Sequence, residues 1–432
     1  MDKDYLIRLI FEYNPQLAGK PTVVLPFRRS LYREIKPWLT KKQAIAITGL
    51  RRTGKTTLLR QLMNEAPEKA VFFSFDEEEV QKKEVLVFVL DYALNALEAT
   101  WIFLDEIQYV QDWEGTIKRY YDQKGCKFVV SGSESMEIDK GNAGLAGRLI
   151  TFRLNPLNFR EYLGLKGRDI EPKTIDIDDF SAFQEVYLKY ITQKEYFEKE
   201  FIDYLWKGAF PELVQEDDSG IVRKYIYDLV VRKILYRDIP AIFEIRRKDL
   251  LYDLFRYSCS TSSGLFDISN LAKMFKANSE TVTNYLFYLR SAFLVHVAES
   301  YSGSSATRMR RNKKLYVIHP AIACAVLGLD RTHLLPQVIG PYVETLFFGD
   351  YFWRDKEKHE VDVVITKPRL IPVEIKYQNQ ITDTDTKNIR IFMDQFKLSK
   401  GIIVTKNMFD LIIYEEKELL FIPAWAYLLV KS

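Results

Sequence analysis

Cysteine and histidine are scarce in this 432-residue sequence, which has three of the first and four of the second. Cys126, Cys259 and Cys324 lie far apart and are odd in number, which excludes a disulfide framework and a paired-cysteine metal site. They read as reduced core residues. His296 and His319 have no Cys or His at ligand spacing, so both are assigned to structure. Net charge is only +3, from 62 Lys and Arg against 59 Asp and Glu, and the two signs are interspersed. No whole-chain field therefore draws in nucleic acid, and such a partner has to be met by local patches. No apolar run approaches the roughly 20 residues that span a bilayer. Met1 to Phe11 alternates charged and apolar residues and lacks the basic start and apolar run of a signal peptide. A cytoplasmic protein with no membrane partner is the expectation. Internal repeats and low-complexity segments are also missing.

What is there supports folding. Hydrophobic residues make up 47% and charged residues 28%, so large cores can be buried and disorder is not expected. A chain of this length exceeds one hydrophobic core, and three domains after an N-terminal extension at 1–31 are expected. Over 32–181, short apolar runs at Ala44 to Thr48, Val71 to Phe75, Trp101 to Leu104 and Phe128 to Ser131 alternate with amphipathic stretches. That alternation predicts an α/β fold with a parallel sheet and crossover helices, closed by a connector at Gly164 to Ser181. Helical spacing, as in Tyr225, Leu229, Val230 and Ile234, predicts a helical region over 182–335. Within it, Asp267 to Ala298 has the form of a winged helix. A third, α/β region over 336–432 is expected, with strands at Val361 to Ile365, Ile371 to Ile375 and Gly401 to Val404.

GLRRTGKT, residues 49–56, fills the GxxxxGK[ST] spacing between the apolar strand QAIAIT and the helix TLLRQLMNE. This is a phosphate-binding loop. Its glycines let backbone amides turn inward toward phosphates and the helix start adds its positive end. Gly49, Leu50, Arg51, Arg52, Thr53, Gly54, Lys55, Thr56 and Thr57 are the expected nucleotide contacts, with Lys55 on the β and γ phosphates and Thr56 on Mg²⁺. WIFLDEIQ supplies the partner element: four apolar residues of a buried strand, then two acids at its carboxyl end, where ligands of open α/β sheets collect. Asp105 is expected to hold Mg²⁺ through water, and Glu106 to orient the attacking water. ATP and Mg²⁺ are thus the expected cofactors, and an ATPase the expected enzyme.

At these residues the chain resembles the AAA+-like ATPases of archaea and bacteria that carry a C-terminal restriction-endonuclease-like region. The resemblance covers nearly the whole chain and rests on GLRRTGKTTLL, FLDEIQ, FVVSGSES, LAGR at Leu145 to Arg148, and FPELV at Phe210 to Val214. It implies that Ser131 or Ser133 senses the γ phosphate. It also implies that Arg148 stabilises charge on the transferred phosphoryl group, within the chain or from a neighbouring subunit.

In the third region Asp362 of EVDVVI and Glu374 and Lys376 of VEIKY fall on two predicted strands resembling a hairpin, with Glu374 and Lys376 on one face. This is the residue set of the PD-(D/E)xK nuclease fold. Asp362, Glu374 and the Ile375 carbonyl are suited to Mg²⁺, Lys376 to positioning a water, and Glu344 on the preceding helix to completing the site. In the winged-helix stretch, a second helix is expected from Ser279, capped by it, with Lys276, Asn278, Thr281, Thr283 and Asn284 facing outward. Arg308, Arg310, Arg311, Lys313 and Lys314 follow as a basic run of the kind phosphate contacts require. Tyr285, Phe287 and Tyr288 read as packing residues. The leading expectation is an ATP-driven molecular switch that moves a winged-helix and nuclease-like region contacting DNA. The alternative is a regulatory or signalling ATPase whose C-terminal region binds protein and does not cleave. Oligomeric state is left open.

Overall fold

The structure, a computed structural model, describes residues 2–20, 24–66, 69–133, 145, 147–171, 175–302, 312–335 and 338–430. Contacts divide the chain into two compact units, Met1–Asn155 with Ser291–Phe293, and Pro156–Arg290 with Leu294–Ser432.

The first unit is built on five parallel strands: β1 (Ala44–Thr48), β2 (Ala70–Ser74), β3 (Trp101–Asp105), β4 (Lys127–Gly132) and β5 (Leu149–Arg153), in the order β2-β3-β4-β1-β5. Strand residues alternate between two cores, as side chains of a pleated strand must. Ala44, Ala46, Phe73, Ile102, Leu104, Phe128 and Val130 face one cluster, with the helices Lys83–Asp91 and Trp113–Lys124 over them. Ile45, Ile47, Phe72, Phe103 and Val129 face the other, under the helix Lys55–Met63. Both faces are covered, which is why these strands read as continuous apolar runs.

Residues of the N-terminal extension are part of this unit. The helix Lys3–Tyr13 buries Leu6, Leu9 and Ile10 in the first cluster. Behind it, the fully buried Asn14 completes the sheet at its free edge. Its amide donates to the Phe72 carbonyl at 2.7 Å, and its oxygen accepts from the Phe72 N–H at 2.8 Å. A side-chain amide thus does the work of a sixth strand at one residue, and covers an edge that would otherwise be open to pairing. Asn14→Ala leaves both backbone groups and the Ile10 carbonyl without this partner. A loss of about 2 kcal/mol is expected, read as a lower urea midpoint with an unchanged slope.

The second unit holds two further five-stranded sheets. β6 (Gly264–Phe266), β7 (Val295–Ser300), β8 (Lys313–Val317), β9 (Tyr351–Arg354) and β10 (Glu360–Val361) run in the order β10-β9-β7-β8-β6. The helices Ile268–Met274 and Ser279–Ser291 stand between β6 and the antiparallel pair β7–β8. The second of them begins at Ser279, but its cap is Asn278, whose oxygen accepts from the Thr281 amide at 2.6 Å. The carboxamide reaches back over the first turn, and Ser279 is already the first helical residue. Lys276, Asn278, Thr283 and Asn284 are exposed and Thr281 half-buried. Tyr285 is buried and Tyr288 stacks on Phe243 at 4.0 Å, whereas Phe287 is largely exposed.

The third sheet is mixed: β11 (Val363–Ile365), β12 (Ile371–Lys376), β13 (Lys400–Thr405), β14 (Asp410–Tyr414) and β15 (Lys417–Pro423), ordered β11-β12-β13-β15-β14. β12, β13 and β15 are parallel, and antiparallel strands close both edges. After β15 the helix Ala424–Val430 is buried along its whole length. Aromatic residues of the helices Phe180–Tyr190 and Lys194–Lys207 meet it: Phe183 stacks on Tyr427 and Phe197 on Trp425, with centroids 5.8 and 5.1 Å apart. Asp178 pairs with Arg369, and its carbonyl accepts from Lys400 at 2.7 Å. These contacts place Asp178 and the two helices with the C-terminal sheet, and the units divide at Asn155, ahead of the connector expected at Gly164 to Ser181. His319 is buried, caps the helix Pro320–Leu327 by accepting from the Ala321 amide at 3.1 Å, and packs edge-on against Tyr204.

Candidate functional site

The carboxyl ends of β1, β3 and β4 form one row. Register pairs Thr48 with Gly132 and Leu104 with Val130, so the loop after β1 and the acids ending β3 flank the end of β4. Gly49 has φ +149°, and a Cβ there would lie 2.2 Å from the Leu154 carbonyl oxygen, so no side chain fits. Gly54, at φ +97°, opens the helix Lys55–Met63 in the left-handed region that glycine enters without strain. Thr53 is buried and its hydroxyl donates to the Leu50 carbonyl at 2.8 Å, while Arg29 donates to the Thr53 carbonyl at 2.6 Å. These bonds hold the loop in shape. Arg51 reaches Asp76 and Tyr109, Arg52 is exposed with φ +63°, and Thr57 is half-buried.

Lys55 is buried, and its ammonium donates to the carbonyls of Gly49 and Leu50 at 3.1 and 3.2 Å, with Glu106 at 3.8 Å. It stands over the cradle of the loop. Thr56 donates to Asp105 at 2.7 Å, and Ser131 donates to the other Asp105 oxygen. Burial, then repulsion from Glu106, drives the Asp105 carboxyl above its ordinary value, against the hydrogen bonds from Ser131 and Thr56. Burial acts on Glu106 in the same sense, but Lys55, Gln108, Arg51 and Ser133 together outweigh it and hold that carboxyl below its ordinary value. The hydroxyl of Thr56 and the carboxylate of Asp105 are hard oxygen donors and fit Mg²⁺.

Glu106 adopts φ 52° and ψ 40°, a conformation that costs a non-glycine residue about 1–2 kcal/mol. That backbone turns it off the strand, and the following 3-10 turn Ile107–Tyr109 brings Gln108 alongside. The Gln108 amide donates to Glu106 at 2.6 Å and to Ser133 at 3.0 Å. Ser131 therefore grips Asp105, while Ser133 is linked through Gln108 to Glu106. Sequence reasoning missed Gln108; its only trace is its place two residues after Glu106.

Arg148 is elsewhere. Its carbonyl accepts from the Ala44 amide at 2.8 Å, at the start of β1, and its guanidinium grips Asp122 at 2.9 and 3.3 Å. β1 then rises about 13 Å to the loop. Arg148 therefore stands at the opposite end of the strands from the phosphate loop of its own chain, beside Asp122.

Residues 41–163 match a family described as the AAA domain. The first unit therefore contains an AAA-type P-loop domain. Its parallel five-stranded sheet matches that of a P-loop NTPase. Residues 198–333 and 348–427 match two domains of unknown function, DUF8612 and DUF4143. Two uncharacterized proteins of Methanocaldococcus jannaschii are similar over most of the chain. One is 27% identical, covering 99% of this chain and 96% of its own length, and the other 25% identical, covering 90% and 85%. Among solved structures, the Thermotoga maritima RuvB Holliday junction branch migration motor is 14% identical, covers 70% of this chain and 96% of its own, and has a TM-score of 0.32. AMPPCP-bound DnaA of Aquifex aeolicus is 15% identical, covers 64% and 92%, and has a TM-score of 0.25. Both likenesses are too slight to carry function. Among the described residues no helix is long and apolar enough to cross a membrane.

The C-terminal residues also converge, within the second unit. The hairpin β11–β12 pairs Val363 with Val373, so Asp362, just before β11, comes alongside Glu374. The Ile375 amide donates to Asp362 at 2.9 Å, and Lys376 pairs with Glu374 at 2.8 Å. Glu344, on the helix Ile339–Leu346, joins them through a residue assigned another part: Lys314 contacts both Glu344 and Asp362. Lys314 is thus no exposed phosphate contact, which corrects its place in the basic run. Arg308, Arg310 and Arg311 lie outside the described residues. The sequence did carry a hint, since KKLYV places Lys314 and Tyr316 on one strand face.

Proposed function

We propose that the AAA-type domain binds ATP with Mg²⁺, hydrolyses it, and serves as a molecular switch for the second unit. The observation that carries this reading is the convergence of Lys55, Thr56, Asp105 and Glu106 at one end of β1 and β3. Lys55 exchanges its loop carbonyls for the β and γ phosphates. Thr56 and Asp105 hold Mg²⁺, which neutralises charge on the phosphate oxygens. Glu106, kept ionised and aimed by Gln108, polarises the attacking water, and Ser133, tied to the same amide, responds to the γ phosphate. Arg148 acts, in this reading, on the nucleotide of a neighbouring subunit. Mixing Arg148→Ala with Glu106→Gln protein should then restore part of the hydrolysis that each lacks alone, and no recovery removes the role.

For the second unit we propose a winged-helix and restriction-like region with DNA as partner. The helix pair between β6 and the β7–β8 hairpin, with exposed Lys276, Asn278, Thr283 and Asn284, supports it. Glu344, Asp362, Glu374 and Lys376 are the proposed cation site of its nuclease-like part. The second reading, a regulatory ATPase with a non-cleaving interaction module, is favoured by one observation: a buried lysine already stands among these carboxylates. Titration of a DNA duplex at rising salt separates the two. Phosphate contacts predict an affinity that falls steeply and log-linearly with salt; no binding, or binding indifferent to salt, leaves the second reading.

A further inference from the structure

Lys314 arrives from β8 with its side chain 2% exposed, and its ammonium meets three carboxylates, one on the helix Ile339–Leu346, one on β10 and one in the bend after β10. Glu344 is at 2.9 Å, Glu360 at 2.7 Å and Asp362 at 3.2 Å. The contacts to Glu344 and Asp362 are hydrogen bonds, and Glu360 is held as an ion pair. Burial works against its charge, but Asp362, Glu344 and Glu360 outweigh that and hold the ammonium far above the ordinary lysine range.

Tyr316 donates to the same Glu344 oxygen as Lys314, at 3.0 Å, while Arg354 donates to the second oxygen of Glu360 at 2.7 Å and the Ile375 amide to the second oxygen of Asp362 at 2.9 Å. Lys376 pairs with one Glu374 oxygen, and the other, Oε2, is buried without a hydrogen-bond partner. The cluster thus sets Glu344, Glu360, Asp362 and Glu374 against Lys314, Lys376 and Arg354, and it holds one unsatisfied ligand oxygen. Those are the features of a cation site, with an ammonium among its acids. An ammonium and a divalent ion cannot share three oxygens, because the like charges repel at that separation.

We propose that Lys314 is the built-in counter-ion of this cluster: its ammonium takes the place of a divalent cation among Glu344, Glu360 and Asp362, so a metal is held there only when that ammonium is removed. This rests on the reading of the cluster as a cation site, and the two fail differently. Mn²⁺ is titrated into the full chain, free of nucleotide, and unbound ion is followed by electron paramagnetic resonance. Lys314→Ala is expected to gain a site at least about tenfold tighter than anything in the wild type, and Lys314→Ala with Asp362→Asn to lose it again. A wild type that already binds as tightly as Lys314→Ala, through a site abolished by Asp362→Asn alone, would leave the cation site standing and overturn the role of Lys314. No Mn²⁺ site in the cluster of either the wild type or Lys314→Ala overturns both. Should that variant not fold, Lys314→Met keeps the aliphatic stem. Its thermal midpoint is expected to rise with Mn²⁺ by more than that of the wild type, and equal responses overturn the inference.

Discussion

Lys55→Ala abolishes ATP binding, a loss of at least the order of 100-fold in a calorimetric titration. The magnitude follows from the number and kind of contacts removed. Hydrogen bonds to charged groups are worth about 1.5–3 kcal/mol each, and the ammonium is placed to serve both the β and γ phosphates. No other lysine stands in the loop, and the two arginines are turned elsewhere: Arg51 toward Asp76 and Tyr109, Arg52 outward. Alanine also removes the donor to the Gly49 carbonyl and leaves the Leu50 carbonyl with the Thr53 hydroxyl alone. Loop distortion therefore adds to the loss. The remaining anchors of the loop, Thr53 to Leu50 and Arg29 to Thr53, keep the fold itself intact. Wild-type affinity in this variant would sink the nucleotide assignment.

Glu106→Gln keeps ATP bound and slows hydrolysis by a factor on the order of 10² or more. The carboxylate is expected to act on water and not on the phosphates, so affinity changes little. The structure sharpens the reason for its competence. Glu106 is buried, yet Lys55, Gln108 and Arg51 hold it ionised. It is therefore ready to accept a hydrogen bond from water at neutral pH. Glutamine keeps the shape and can still accept from the Gln108 amide with its one oxygen. What it loses is the charge. Binding measured by calorimetry and turnover measured by phosphate release should therefore separate, and unaltered turnover moves the catalytic role to another residue.

The nucleotide site was legible because its signals are local. A strand, a glycine-bounded loop and a helix start are specified by consecutive residues, and Gly49 and Gly54 sit where a side chain collides or strains. The acids after β3 were legible for the same reason. That β4 lies between β1 and β3 was not, because strand order is decided by packing between distant segments. Consequently Ser131 and Ser133 could not be told apart from the sequence, and Gln108 went unseen. Which end of the sheet Arg148 faces was not legible either, because a motif carries no information about it. In the second unit Glu374 and Lys376 were readable from strand alternation, Asp362 from the hairpin and Glu344 from the helix before it, but Lys314, from a strand earlier in the chain, was read as part of an exposed basic run. Burial of a charge depends on partners that spacing does not reveal. The same holds for Asp178 and the aromatic helices after it, which dock on elements more than 190 residues further along.

Steady-state phosphate release from ATP tests the central claim most directly, measured on the full chain with and without Mg²⁺ and with Lys55→Ala alongside. Release that depends on Mg²⁺ and vanishes in Lys55→Ala is the predicted result. Release that persists in Lys55→Ala, or none at all from wild-type protein that has bound ATP, would contradict it.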